Sequence, residues 1–122
     1  MKAEVVSSRL NYGDVTVVND SVATSDATIV WHIAPGGEYW TIYNASAGKY
    51  AAGTGAKNKA QLLASGTDDK SLWSVTGNST YEFVNKANDA AGVNKTLRRN
   101  GEYGFACYST STGGTLTLYK KM

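Results

Sequence analysis

Few residues in this chain belong to the types that make and break bonds. His32 is its one histidine and Cys107 its one cysteine. Acid–base catalysis needs a titratable group within reach of its partner. His32 lies between Trp31 and Ile33 in an alternating stretch, which turns its side chain away from theirs and toward solvent. Asp68-Asp69 follows Ser65-Gly66-Thr67 and precedes Lys70, a composition that suits a solvated turn. A calcium site would need roughly six to eight converging oxygens, and no acidic loop has EF-hand spacing. Gly53-Thr54-Gly55-Ala56-Lys57 lacks the Gly-Lys-Ser/Thr ending and the following helix of a phosphate loop, and reads as a hairpin turn. Cys107, between Ala106 and Tyr108, is expected to be a small buried or half-buried hydrophobe. A lone cysteine makes no internal disulfide and no zinc site built on cysteine pairs. The reading is of a chain with no catalytic residue, no metal site and no cofactor.

Recognition chemistry is better represented. An aromatic face stacks on the apolar face of a pyranose while polar neighbours bond its hydroxyls, and the same residues anchor protein contacts. Trp31 and Trp73 sit at corresponding places beside apolar strand residues, and Trp40 shares its parity with Ile42, so all three tryptophans are assigned to the core. Tyr39 and Tyr43 have the opposite parity and are surface candidates. Tyr50, Tyr103 and Tyr108 join them because they lie near Gly or Asn turns, with Arg98, Asn100 and Glu102 as polar neighbours. These eight residues form the candidate ligand-binding set.

The elements that position them follow from composition and internal repetition. The 122 residues allow one domain with one core. Thirteen Gly beside one Pro, with many β-branched and aromatic residues, favour short strands joined by turns. Tyr39-Trp40-Thr41-Ile42-Tyr43-Asn44 resembles Thr80-Tyr81-Glu82-Phe83-Val84-Asn85, displaced by 41 positions. Ile29-Val30-Trp31-His32-Ile33 resembles Ser71-Leu72-Trp73-Ser74-Val75, displaced by 42, and Thr115-Leu116-Thr117-Leu118 is a weaker third copy. Second strands running into turns are expected at Gly48 to Gly53 and Asn94 to Asn100. Third strands are expected at Ala60 to Ala64 and Tyr103 to Tyr108. The first unit is the most divergent, with candidate strands at Glu4 to Ser7, Val15 to Val18 and Ser21 to Ala23.

Three four-strand units of about 42 residues are what a β-trefoil requires, six strands closing a barrel and six capping it. The repeats are placed at approximately 3–36, 37–77 and 78–121 of one domain, 1–122. A propeller would need at least roughly four blades and a longer chain, and a β-sandwich is the alternative.

Taken in order, several short motifs resemble a C-terminal accessory domain of secreted multidomain proteins from gut and environmental Bacteroidetes. They are Tyr39-Trp40-Thr41-Ile42-Tyr43-Asn44, Gly48-Lys49-Tyr50, Leu72-Trp73-Ser74-Val75, Leu97-Arg98-Arg99-Asn100, Phe105-Ala106-Cys107-Tyr108 and Leu118-Tyr119-Lys120-Lys121. Arg99 departs from the pattern, which usually has an aromatic there. The resemblance implies an extracellular or cell-surface accessory module, often attached to hydrolases or adhesins.

The expected function is therefore non-catalytic carbohydrate binding, lectin-like, with a protein-interaction or structural role, adhesin-like or inhibitor-like, as the alternative. The Gln-x-Trp signature of ricin-type lectins is absent, since Ile29-Val30-Trp31 and Ser71-Leu72-Trp73 carry no glutamine, which argues against classical galactose pockets, and the loss of three-fold regularity argues against three equal sites. Expected partners are a glycan or polysaccharide, or a protein. A formal charge of +2 without a basic cluster does not indicate nucleic acid, and no stretch approaches the roughly 20 apolar residues of a membrane helix. Met1-Lys2 leads directly into Ala3-Glu4-Val5-Val6 with no basic and apolar signal segment in front, which fits a natural start or a domain excised from a secreted protein; a monomeric domain within a larger parent protein is expected. The Asn-x-Ser/Thr triplets at Asn19, Asn44, Asn78 and Asn94 would be glycan acceptors in a eukaryotic secretory route and are turn composition in a bacterial one.

Overall fold

The computed structural model describes residues 1–121. The first unit contains β1 (Val5–Val6), β2 (Arg9–Leu10), β3 (Val17–Val18), β4 (Ser21–Val22) and β5 (His32–Gly36). The second contains β6 (Tyr39–Asn44), β7 (Lys49–Ala52), β8 (Gln61–Leu63) and β9 (Trp73–Gly77). The third contains β10 (Tyr81–Asn85), helix α1 (Lys86–Ala91), β11 (Thr96–Arg99), β12 (Phe105–Tyr108) and, near the end, β13 (Lys120–Lys121). One continuous path, β1-β2-β12-β11-β10-β9-β6-β7-β8 with β5 branching from β6, carries ten strands, and β13-β4-β3 form a small second sheet. Strands that pass from unit to unit in one path make a nearly closed barrel with hairpin caps, the β-trefoil arrangement, in place of the two facing sheets of a sandwich.

The repeat appears as equal register. In the β5–β6 hairpin Ile33 faces Ile42, and in the β9–β10 hairpin Val75 faces Phe83. Period-two alternation sends Ile42 and Phe83 into the core, where they are 3% and 1% exposed. They meet Leu10, Ala51, Ala60, Trp73, Leu97, Ala106 and Cys107. Trp73 alone removes on the order of 150–250 Å² from water, a transfer term of about 4–6 kcal/mol. Its indole Nε1 donates to the Ala51 carbonyl at 3.0 Å, so full burial leaves no polar group unpaired. Trp31 is half-buried against the same core and donates from Nε1 to the Met1 carbonyl at 2.9 Å. Trp40, half-buried, pairs with Trp73 between β6 and β9.

Each of the first two closing strands is preceded by a one-turn 3₁₀ helix, Ala27–Ile29 and Asp69–Ser71. Their side-chain caps, Asp26 and Asp68, accept from the N–H groups of Thr28 and Lys70. Hydrogen bonds from Thr28 hold the Asp26 carboxyl below its ordinary range. Residues 29 and 71, read from sequence as strand, therefore belong to helical turns, and extended structure starts at His32 and Trp73.

Two fully buried asparagines fasten these turns. The Asn44 amide donates to the carbonyls of Ala27, Thr28 and Val30, each at 3.1 Å, while its Oδ1 accepts from Ser46 Oγ and the Ala47 N–H. Asn85, 41 positions on, donates to the Lys70 carbonyl at 2.9 Å and accepts from the Asn88 N–H. Asn44 is thus committed to the interior and is no acceptor for a glycan.

The structure differs from the sequence reading in three elements. Residues 86–91 form α1, capped by Asn85 and ended by Gly92 at φ 70°. Residues 9–10 form β2, joined to β1 through Ser7 and Ser8, both at positive φ, as a two-residue hairpin turn demands. Thr115 to Leu118 form no strand, and Leu116 alone bridges Tyr81.

Replacing Asn44 or Asn85 by alanine leaves buried backbone groups without partners, which costs about 2–3 kcal/mol each. Asn78→Ala, in an exposed turn, is expected to stay within about 0.5 kcal/mol of the parent. Urea unfolding followed by tryptophan fluorescence measures the difference.

Candidate functional site

Inward-facing residues of β6 and β7 are spent on the core, so their alternates, Tyr43 and Tyr50, must face outward. Antiparallel register then sets four side chains side by side across four strands. His32 on β5 is opposite Tyr43 on β6, Tyr43 is opposite Tyr50 on β7, and Tyr50 is opposite Leu63 on β8. The two tyrosine rings are tilted at 49° with centroids 4.7 Å apart, a favourable aromatic contact. Tyr50 is seated against Gly66, where a Cβ would lie 2.6 Å from its Cζ. His32 is exposed, and Tyr43, Tyr50 and Leu63 are half-buried. The row presents ring faces supported from below and a hydrogen-bonding imidazole at its open end.

Tyr39 lies on the same face of β6, four residues before Tyr43. Lys86 Nζ sits 4.7 Å from its ring centroid and 3.0 Å from Asp69 Oδ1. The hydrogen bond to Asp69 raises the Lys86 ammonium above its ordinary range. The pair fixes one edge of the tyrosine face, although exposed ion pairs of this kind add little stability.

The remaining five sequence candidates divide. Tyr103, 67% exposed, carries the Arg9 guanidinium 5.4 Å from its ring centroid. Glu102 is exposed and Asn100 half-buried in the same turn, with the Asn100 N–H donating to the Gly104 carbonyl. Tyr108 and Arg98 are not surface residues. Tyr108 is 3% exposed because β12 packs between β11 and β2, and its hydroxyl accepts from Arg9 Nε at 3.1 Å. Arg98 is 4% exposed in β11, ion-paired to Glu82 on β10, and its Nε has no partner. Parity within a single strand does not report that both flanking strands will cover it.

Sequence reasoning did not select Arg9, Tyr12, Lys86 or Gly66. Arg99 stacks 4.1 Å from the Tyr12 ring centroid, a contact that needs the first unit laid beside the third. For α1 a signal did exist: Asn85 before Ala87, Ala90 and Ala91, then Gly92, is a cap, a helix-forming run and a stop. Its Asn88 is fully buried, accepting from the Gly55 N–H at 2.9 Å and donating to the Ala56 and Asn94 carbonyls. The helix therefore fills the crevice beside the 53–57 turn.

Among the described residues His32 makes no side-chain hydrogen bond, and no three His, Cys, Asp or Glu side chains converge on a point. Among the same residues no helix is long and apolar enough to cross a membrane.

A solved structure described as a designed threefold-symmetric protein, ThreeFoil, is similar over 88% of this chain and 81% of its own, with a TM-score of 0.51 at 18% identity. At that identity the likeness speaks for the fold: the chain is a β-trefoil. The family model for ricin-type β-trefoil lectin domain-like proteins matches residues 27–101, and the chain belongs to that family. No curated protein matches it.

Burial pushes the Cys107 thiol up to about 12, which suppresses the reactive thiolate. Cys107 is expected to resist thiol reagents at pH 8 in the folded protein and to react stoichiometrically in denaturant. Rapid labelling without denaturant would contradict its placement.

Proposed function

We propose that this chain is a non-catalytic carbohydrate-binding module that holds a glycan against the Tyr43–Tyr50 face. The observation that carries the reading is the contact of those two rings at 4.7 Å, in register with exposed His32. Rings already packed against each other and against Gly66 lose little freedom when a sugar stacks on them, which reduces the ordering cost of binding. His32, and Thr41 between Tyr39 and Tyr43, supply polar groups for hydroxyls. Membership of a lectin-like trefoil family supports the class of ligand, and fold alone would not. The loss of three-fold regularity, with the tyrosine contact in the second unit and α1 in the third, favours one platform on the second unit over three equal pockets. The order of motifs supports a role as an accessory domain of a larger secreted or cell-surface bacterial protein.

A second reading is favoured by a separate observation. Tyr103 beneath Arg9, with Arg99 over Tyr12 nearby in sequence, has the composition of a protein-binding hot spot. In that case the module docks a partner protein through the third unit.

Affinity gel electrophoresis against plant, fungal and mucin polysaccharides tests the first reading. Retardation by at least one of them is expected, and Tyr43→Ala or Tyr50→Ala should weaken it by about 1–2 kcal/mol, roughly 5–30-fold. Absence of retardation on every polysaccharide, or equal retardation of the double variant, would sink it. Capture of a protein partner that is lost in Tyr103→Ala, without any glycan binding, would establish the second.

A further inference from the structure

At its open end the tyrosine row adjoins a polar hollow of about 260 Å³, whose lining includes Thr24, Ser25, His32, Ser46 and Lys121. His32 belongs to both places, since it stands opposite Tyr43 in the β5–β6 register and also lines the hollow. Lys121 is brought there by the parallel pairing of β13 with β4, in which it lies opposite Val22. That pairing engages its backbone, and the residue remains exposed. The hollow is smaller than the roughly 300–1,000 Å³ of a site that encloses a whole small ligand. It suits one substituent of a ligand held alongside.

The polar groups of the lining divide unevenly between donors and acceptors. The Ala27 carbonyl, also in the lining, accepts from Asn44 Nδ2 at 3.1 Å and from the Val30 N–H at 3.3 Å. The Val30 carbonyl accepts from the same Asn44 amide at 3.1 Å. Ser46 Oγ donates to Asn44 Oδ1 at 2.7 Å. Thr24 Oγ1 accepts from the Asp26 N–H at 3.0 Å, which leaves its own proton to donate. Among the described residues the side chains of Ser25, His32 and Lys121 make no hydrogen bond or ion pair. Donors are therefore unspent where the carbonyls are taken. No aspartate or glutamate lines the hollow. The carboxylate of Asp26, next in sequence, is committed elsewhere: Oδ1 accepts from the Thr28 N–H and Oγ1, and Oδ2 lies 4.0 Å from Lys2 Nζ.

A neutral sugar hydroxyl donates as well as accepts, whereas an oxyanion only accepts. Unspent donors beside an ammonium, with no carboxylate among them, match the oxyanion. We propose that this hollow receives the anionic group, carboxylate or sulfate, of an acidic sugar whose neighbouring ring stacks on Tyr43 and Tyr50. The assignment rests on the tyrosine face being the glycan platform, and it specifies the class of glycan held there. Lys121 supplies the charge, Thr24 and Ser25 donate to the anion's oxygens, and His32 bridges the hollow and the ring face.

Calorimetric titration of the full chain with matched sugars tests this. Trigalacturonate is compared with its methyl ester, and sialyllactose and sulfated lactose with lactose. In at least one pair the acidic sugar is expected to bind about fivefold or more tightly than its neutral partner, with the advantage shrinking as salt is raised toward about 1 M. The pair that shows it separates carboxylate from sulfate. Lys121→Ala should bring the ratio of acidic to neutral affinity toward one, and Lys121→Arg should keep it. Tyr43→Ala should weaken binding and leave the preference. Equal affinities in every pair would overturn the inference while the tyrosine platform stands. So would an acidic preference that survives Lys121→Ala, or one lost equally in Lys121→Arg. Failure of every acidic sugar to bind would also overturn it, and the platform falls as well only if the neutral sugars and polysaccharides fail too.

Discussion

A buried carboxamide, repeated once, holds the parts of this molecule in place. Asn44 and Asn85 each end the opening strand of a unit, and each reaches back to the 3₁₀ turn that precedes the closing strand of the unit before. A side chain with donors and acceptors on one short stem can tie a strand end to a neighbouring turn without leaving a polar group unpaired. Because both asparagines are fully buried, their bonds form in a low-dielectric interior where an unmet partner is costly. The angle at which one hairpin meets the next is set there, and with it the closure of the barrel.

The surface is a consequence of that closure. Once Ile42, Phe83, Trp73 and Leu97 are drawn inward, the alternate residues of β5, β6 and β7 have a single side left to them. Across the β5–β6–β7 ladder that side carries His32 of the first unit and Tyr43 and Tyr50 of the second in register. The third unit has diverged differently: α1 is inserted after Asn85, and Asn88 seals the crevice beside the second unit's 53–57 turn. What distinguishes the units is therefore outside the barrel, and the tyrosine face belongs to one unit alone. The barrel itself is least complete where the first and third units meet, with β13 paired in parallel to β4 instead of to an opening strand.

Much of the fold was legible because the interior repeats. Trp31 and Trp73 recur at a spacing of 42 and Asn44 and Asn85 at 41, and strand alternation around Ile42 and Phe83 gave the correct facing. The trefoil follows from these, and the match of residues 27–101 to a ricin-type trefoil lectin-like family agrees with it. The placement of His32 in solvent and of Tyr39 and Tyr43 away from the core followed from parity alone. Arg98 and Tyr108 were misplaced for a physical reason. Their exposure depends on β10 and β2, which lie on either side of the β11–β12 hairpin, and a strand's own sequence does not say which neighbours will cover it. The contact of Tyr43 with Tyr50, the seat at Gly66 and the stacking of Arg9 on Tyr103 depend in the same way on cross-strand register.

Whether the tyrosine face is the working surface is tested most directly by isotope-filtered NMR of the intact chain with a retarding polysaccharide's oligosaccharide. Intermolecular Overhauser contacts are predicted between the sugar's ring C–H protons and the aromatic protons of Tyr43 and Tyr50. A bound sugar whose contacts run to Tyr103 and Tyr12, with none to Tyr43 or Tyr50, would contradict the account.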